Sequence, residues 1–349
     1  MVTRSVTRSV NQPVAIPFVL AGRSMLRLPY RGASLSLAFD SQQYAMGAIG
    51  KRPAAFAFSD LITFTRPTGG GRFNAQGQYE WLPADQPRID YDPVTGEAKG
   101  LLIEEQRTNL LTYSSDFTNA TWGKLTDLAV DANTAIAPDG TATACRIRGI
   151  SAWTGDRLVQ NISDSVNKNF TGSLFIKGEG EEIGKTVVFI LKRFSSGVYR
   201  GVSATITLTG EWQRVSQSLT LLAEHSGVSF TLAGTGTANS CLLWGAQLEV
   251  GSFPTSYIPT TNAQVTRAAD IASVNELSPW YNPEAGTLFV EFSRQWDSSH
   301  LQGRLAYLSG SDSTKIIQLR VNGTGSVLGT IIDGGVTNTD ISSAKVNKL

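Results

Sequence analysis

The sequence predicts an all-β protein organised around an antiparallel β-sandwich, and three observations carry that expectation. Helical periodicity is nearly absent along all 349 residues. Short runs rich in Val, Ile, Thr and Phe recur instead, separated by Gly, Asn, Asp and Ser clusters, which is the pattern of antiparallel sheets. In "SATITL" the apolar Ala204, Ile206 and Leu208 alternate with Ser203, Thr205 and Thr207, so one face turns to a core and the other to solvent.

The elements follow in chain order. Residues 1–58 form an extended, basic N-terminal region, opening on the brief tandem "TRSVTRSV" and including "VAIPFVLAG" (14–22), read as a strand of an anchoring segment. Residues 59–108 read as a β-hairpin connector, with Gly69–Gly71 at the turn of "LITFTRPTGGGRFNAQGQYEW". Residues 109–259 are the sandwich, with strands in "GSLFIKGEG", "TVVFILKRF", "SATITLTGEW", "RVSQSLTL" and "GVSFTLAGTG". A Pro/Thr/Asn-rich linker occupies 260–285, and strand spacing resumes over 286–349, enough chain for only part of a second sandwich.

Composition removes several function classes. The 30 basic and 29 acidic residues nearly cancel, so nothing advertises nucleic acid as a partner. No apolar run is long enough to insert in a bilayer as a helix. The charge is uneven: residues 1–50 hold Arg4, Arg8, Arg23, Arg27 and Arg31 against Asp40 alone, an arm that either docks on an acidic protein surface or stays solvated. Cys145 and Cys241 lack any CxxC companion, which argues against zinc and against a disulfide scaffold. They read as buried thiols, or as one bridge if "TATACRI" and "SCLLWGAQLE" are neighbours. His225 and His300 have no base or ligand partner nearby, no GxSxG elbow is present, and "TGGGRF" and "GTGTANS" lack the P-loop lysine.

Two carboxylate pairs invite an enzymatic reading. In "GLLIEEQRTNLL" the adjacent Glu104 and Glu105 would point to opposite faces of a strand, or diverge by about 100° on a helix, so they cannot flank one glycosidic bond. A structural role follows, with Arg107 and Arg267 as partners for half-buried acids. Asp90 and Asp92 in "RIDYDP" alternate onto one face, but the adjoining Pro93 and "TGE" favour a turn.

The stretches "FTRPTGGGRFNAQGQYEW", "PRIDYDPVTGEAKGLLIEEQRTNLL" and "WGAQLEVGSFPTSYIPTTNAQVTRAAD" resemble a cassette of bacteriophage virion proteins, especially tail fibres and related receptor-binding or decoration proteins. Between them, "NLLTYSSDFTNATW", "RLVQNI", "GEWQRVSQSLTL" and "LLWGAQLEVG" resemble jelly-roll carbohydrate-binding modules, and "GTLFVEFSRQW" looks like the first strand of a concanavalin A-like lectin sandwich. The resemblance implies a jelly-roll fold and a binding role. It also implies packing roles for Trp122, Trp212 and Trp244, and a structural calcium near Asp116, Asn119 and Glu249, although "SSDFTNATW" lacks a dense acidic cluster.

Sugar faces combine aromatic rings with polar side chains for hydroxyls. Loop-like candidates here are Trp153, Asp156, Arg157 and Tyr199, with packing or an inter-subunit contact the alternative for Trp153. The expected protein is thus a non-enzymatic virion subunit without a cofactor, a homotrimeric tail fibre or spike made in the bacterial host cytoplasm. Its N-terminal arm docks on tail, collar or portal proteins, and its sandwiches meet a host glycan multivalently. A capsid or collar decoration protein and a polysaccharide depolymerase are the competing readings.

Overall fold

The computed structural model describes residues 33–282 apart from 126, 151–155, 164–167, 196–197, 223–224 and 234–235. It also describes residues 16–17, 20–21, 286, 288, 290 and 292, and the strands Gly303–Ser309, Ile316–Val321, Val327–Asp333 and Val336–Ser342. The chain divides into two compact units, one built from residues 78–80 and 106–268 and the other from the stretches before, between and after them.

The first unit is the antiparallel β-sandwich. Its ten principal strands are β1 (Gly123–Lys124), β2 (Ala129–Ala135), β3 (Ala144–Arg148), β4 (Asp156–Ser163), β5 (Lys168–Lys177), β6 (Thr186–Ser195), β7 (Val198–Thr207), β8 (Gln213–Leu221), β9 (Gly227–Ala233) and β10 (Ser240–Val250). One five-stranded sheet has the order β1-β4-β9-β6-β7 and the other β2-β3-β10-β5-β8. Every neighbouring pair is antiparallel.

Period-two alternation builds the core between these sheets. Phe170, Leu174 and Ile176 of β5 face Val187, Phe189 and Leu191 of β6 and Val228, Phe230 and Leu232 of β9 in one buried cluster. Gly172 completes the inward series because a Cβ there would lie 2.7 Å from Leu191 Cδ2. Ile206 and Leu208 are buried and Ala204 packs against them, as "SATITL" predicts. Trp122 is 1% exposed, 4.9 Å from the Phe117 ring centre, with its Nε1 donating to the Tyr113 carbonyl. The cysteine strands β3 and β10 are indeed neighbours, but Cys145 lies opposite Leu243 and Cys241 opposite Ile147. That diagonal offset, roughly 7–8 Å, is too long for a disulfide, and both thiols are free and buried.

The other unit has its own core around Phe39, Tyr44, Ile62, Phe64, Ile89, Leu101 and Val274. Two short pieces of "VAIPFVLAG" are strands: Ile16–Pro17 pairs with Ile271–Val274, and Leu20–Ala21 with Ala98–Leu101. Arg4, Arg8, Arg23, Arg27 and Arg31 lie outside the described residues. The region expected as a linker holds two strands: Val265–Arg267 pairs with Arg107–Asn109 in the sandwich unit, and Ile271–Val274 turns the apolar Ala272 and Val274 into this core. At the C-terminal end the four strands from Gly303 to Ser342 form an antiparallel meander.

The turn of the connector hairpin is not at Gly69–Gly71. It falls at Asn74–Gly77, where Gly77 has φ +74° and donates to the Asn74 carbonyl. The glycines upstream answer a different need: a Cβ on Gly70 would sit 2.7 Å from Arg66 Nε.

Candidate functional site

The motifs that flank the sandwich are rich in polar residues, and the structure shows that many of them hold the fold together. Asn109 reaches across to donate to the Ala246 and Ile258 carbonyls, at 3.1 and 2.8 Å, and accepts from the Leu111 and Leu248 amides. Gln247 accepts from the Ile258 amide and donates to Glu249. Glu249 accepts from both the amide and hydroxyl of Thr255, at 2.8 Å each, and lies 3.5 Å from Arg107 Nε. Burial pushes the Glu249 carboxyl up from its ordinary value. These contacts fasten residues 251–262 over the outer face of the second sheet. There Tyr257 sits 4.7 Å from the Trp244 ring centre and bonds Ser114 and Ser115, its phenol pushed up to about 12 by burial.

The paired acids follow the same logic with different partners from those expected. Residues 102–106 are not a strand. The Glu104 amide is taken by the Asp270 carboxylate at 2.8 Å instead of by a sheet ladder. Glu104 turns inward to Arg88 at 2.7 Å, while Glu105 is exposed. Arg88 also pairs with Asp270, whose other oxygen accepts from Arg66 at 3.0 Å. All four charged groups are nearly excluded from water, and each arginine also donates to backbone carbonyls, Gly71 for Arg88 and Thr68 and Pro83 for Arg66. Arg107 is engaged with Glu249, and Arg267 is buried, donating to the Ala268 carbonyl. Asp90 and Asp92 part company as well. Asp90 is buried and accepts from Phe73, whereas Asp92 closes a turn by accepting from Val94 and Thr95.

The calcium candidates do not assemble into a cation site. Asp116 accepts from the amide and hydroxyl of Thr118, and Asn119 from the Thr121 amide. The carbonyls of Thr118, Asn119 and Trp122, which a hard cation would need, all receive the Lys124 ammonium at 2.8–3.1 Å. The Lys124 ammonium thus occupies those three carbonyls, and Glu249 is engaged with Thr255 and Arg107.

Residues 251–262 cover the β10 and β5 part of the second sheet, and the outer face of the first sheet is the other broad surface of the sandwich. Alternation places Val159 and Asn161 of β4, Ser229, Thr231 and Ala233 of β9, Val188, Ile190, Lys192 and Phe194 of β6, and Ser203 and Thr205 of β7 on that face. Asn161, Ser203 and Thr205 are exposed at its margins. The Ser229 hydroxyl donates to Asn161 Oδ1. Thr231, at the centre, is 0% exposed, and its hydroxyl has no hydrogen-bond partner among the described residues. Phe194 lies over Gly227, where any Cβ would meet the ring at 2.4 Å. The result is a face whose central Ser229, Thr231, Ala233 and Val188 are buried, with Val159 and Ile190 half-buried beside them, the polar Asn161, Ser203 and Thr205 exposed at the margins and an aromatic ring at one end. A depression of about 260 Å³ near Arg146, Glu179, Glu182 and Ser240 competes poorly, because its arginines already pair with Glu179 and Asp131.

Of the predicted sugar contacts, Asp156 is on this face and pairs with Lys192. Arg157 is a correction: it is 1% exposed and donates to the Gly149 carbonyl at 2.6 Å, so its guanidinium is not offered to a ligand. Tyr199 is a β7 residue opposite Phe194. Its side chain and all of Trp153 lie outside the described residues. Sequence reading missed Asn161, Lys192, Phe194, Ser229 and Thr231. The outward alternation of "TVVFILKRF" and "GVSFTLA" carries Lys192, Phe194, Ser229 and Thr231, and that of "RLVQNI" carries Asn161.

No protein-family model matches the chain, and no curated protein matches it. Among solved structures, the chain is similar to the CBM22-1 xylan-binding domain of Paenibacillus barcinonensis Xyn10C, with 18% identity over 42% of this chain and 96% of that one at a TM-score of 0.33. It is similar to a family 16 carbohydrate-binding module at 14% identity over 40% of this chain and 99% of the other, TM-score 0.32. A third likeness is to the enzymatically active domain of bacteriophage CBA120 tailspike protein 4, at 11% identity over 41% of this chain and TM-score 0.31. The chain spans 21% of that tailspike chain's length. Likenesses at this level carry neither a ligand nor an activity across.

Proposed function

We propose that the protein is a non-enzymatic bacteriophage virion subunit, a tail-fibre or spike component that attaches by its N-terminal region and presents the outer face of the β1-β4-β9-β6-β7 sheet to a host glycan. The observation that carries the binding role is the buried Thr231 hydroxyl at the centre of that face, which has no hydrogen-bond partner among the described residues. A buried hydroxyl without a partner is costly, and a saccharide hydroxyl supplies one. The exposed Asn161 amide and the Phe194 ring offer the other two contacts that sugars use. Resemblance of the flanking motifs to virion proteins supports the particle assignment. Single contacts of this kind are weak, and a trimer on a particle would multiply them.

The test is binding of the purified chain to an array of bacterial surface polysaccharides, alongside Asn161→Ala and Thr231→Val. Losing one hydrogen bond each, about 1 kcal/mol, weakens binding by roughly fivefold per variant. An array without any bound glycan overturns the reading. Release of reducing ends from any bound polysaccharide would make the protein a depolymerase. Cryo-EM of the particle decides the location: three-fold density on the tail supports the attachment role, and density over the capsid lattice makes the protein a decoration subunit.

A further inference from the structure

The strand registers place Asp156 and Lys192 at opposite corners of the proposed binding face. Asp156 of β4 lies in the same row as Ala233 of β9 and Val188 of β6. Lys192 of β6 lies in the row of Ser229 and Asn161. Between these rows runs the row of Val159, Thr231 and Ile190. The diagonal from Asp156 to Lys192 therefore crosses the central strand at Thr231.

The two side chains nevertheless form an ion pair. On a flat sheet, two strand spacings of ~4.8 Å and four residues of ~3.3 Å would separate their Cα atoms by roughly 16 Å. Closing that gap requires sheet twist and side chains that lie down along the face instead of standing off it. Laid down in this way they pass over β9. This accounts for the burial of the whole outward side of β9, with Thr231 at 0% exposure and Ser229 and Ala233, in the rows of Lys192 and Asp156, at 1% each, although Val159 and Ile190 are only half-buried. The pair itself keeps contact with solvent, at 20% exposure for Lys192 and 31% for Asp156.

We infer that Asp156 and Lys192 form a strap across this face, which a ligand must lift to reach Thr231. The inference rests on the proposed binding face and adds its gate. An ion pair with this exposure is weak and screened by salt, so the strap opens readily. Once lifted, the lysine ammonium and the aspartate each become free to meet ligand hydroxyls at the margins. The strap thus makes the two residues specificity determinants: a ligand has to offer both groups a replacement for the partner each one loses.

The strap can be tested without knowing the glycan. Cys145 and Cys241 are 1% and 2% exposed, so a thiol placed at the central position is read against a silent background. In Thr231→Cys, reaction with a small methanethiosulfonate reagent is expected to be slow. It should accelerate roughly fivefold when Asp156→Ala or Lys192→Ala is added, the change that about 1 kcal/mol of ion pairing represents. Salt at about 1 M, where the screening length is ~3 Å, should produce the same acceleration without a second substitution. A thiol that reacts fast with the pair intact, or at an unchanged rate in all three conditions, overturns the strap. A complementary readout leaves Thr231 in place: acetylation of Lys192, followed by peptide mass, should be faster in Asp156→Asn than in the unmodified chain, and equal rates also overturn the inference. A failed glycan array alongside accelerated thiol labelling would sink the binding role and leave the strap standing.

Discussion

Asp90 and Asp92 stand two residues apart and are driven in opposite directions. Amides of Thr95 and Val94 hold the Asp92 carboxyl down at about 2, against an ordinary value of 3.8. Its stabilising effect is therefore complete above pH 3.8 and disappears as pH falls toward 2. Melting temperatures of Asp92→Ala should converge on those of the unmodified chain across that acid window and fall below them at neutral pH. Burial pushes Asp90 up instead. The unfolded chain then ionises more readily than the folded one, so the penalty is absent at low pH and grows as pH rises past 3.8. Asp90→Asn keeps an acceptor for the Phe73 amide. It should melt higher at pH 7 and show no gain at pH 3. Arg88 is the opposite kind of residue, because removing it strands Glu104 and Asp270 in the interior. Urea unfolding of Arg88→Ala should show a loss of about 3–5 kcal/mol, the usual cost of breaking a buried pair. The sequence made the opposed directions of Glu104 and Glu105 legible. It concealed the partner, because Arg88 and Arg107 are equally plausible by type and only the fold brings the former to the acid.

At the scale of elements, strand existence was easy to read and strand function was not. "SATITL" announced its inward face because Ala204, Ile206 and Leu208 are apolar at every second position, and that signal is local. Glycine was harder. Three in a row at Gly69–Gly71 look like a turn, yet at Gly70 the missing side chain makes room for Arg66, a contact no composition rule displays. Gly245 shows a third use. It has φ +62° where the β5–β10 register shifts, a bulge that brings Trp244 and Gln247 to the same outer face. Gly245→Ala must hold a left-handed conformation with its Cβ 3.1 Å from Phe175 Cδ2. It should cost about 1–2 kcal/mol in chemical denaturation. Gly180, also at positive φ but with nothing within 4 Å of a Cβ, should accept Asn with a much smaller loss. The proposed binding face is hard to see in the sequence for a related reason: its members come from β4, β6, β7 and β9, and only the registers reveal that they share a surface.

For the molecule as a whole, the sandwich was legible as a block because both its sheets draw on one stretch of sequence. The other unit was not, since its core joins Phe64, Ile89 and Leu101 to Val274 across more than two hundred positions of chain. A truncation ending before Ile271 would therefore remove a strand from that core, and such a fragment should lose the cooperative unfolding of that unit in calorimetry. The pairing of Arg107–Asn109 with Val265–Arg267 brings the entry and the exit of the sandwich side by side as adjacent antiparallel strands. A segment whose two ends leave from one spot is a plug-in part. Another fold with closely spaced ends could be grafted between positions 106 and 268 once residues 78–80, whose Tyr79 packs on Trp244 and Tyr257, are refitted to it. Under the proposed binding role, that arrangement would let the part that recognises a ligand be exchanged as one block, with little redesign of the chain on either side.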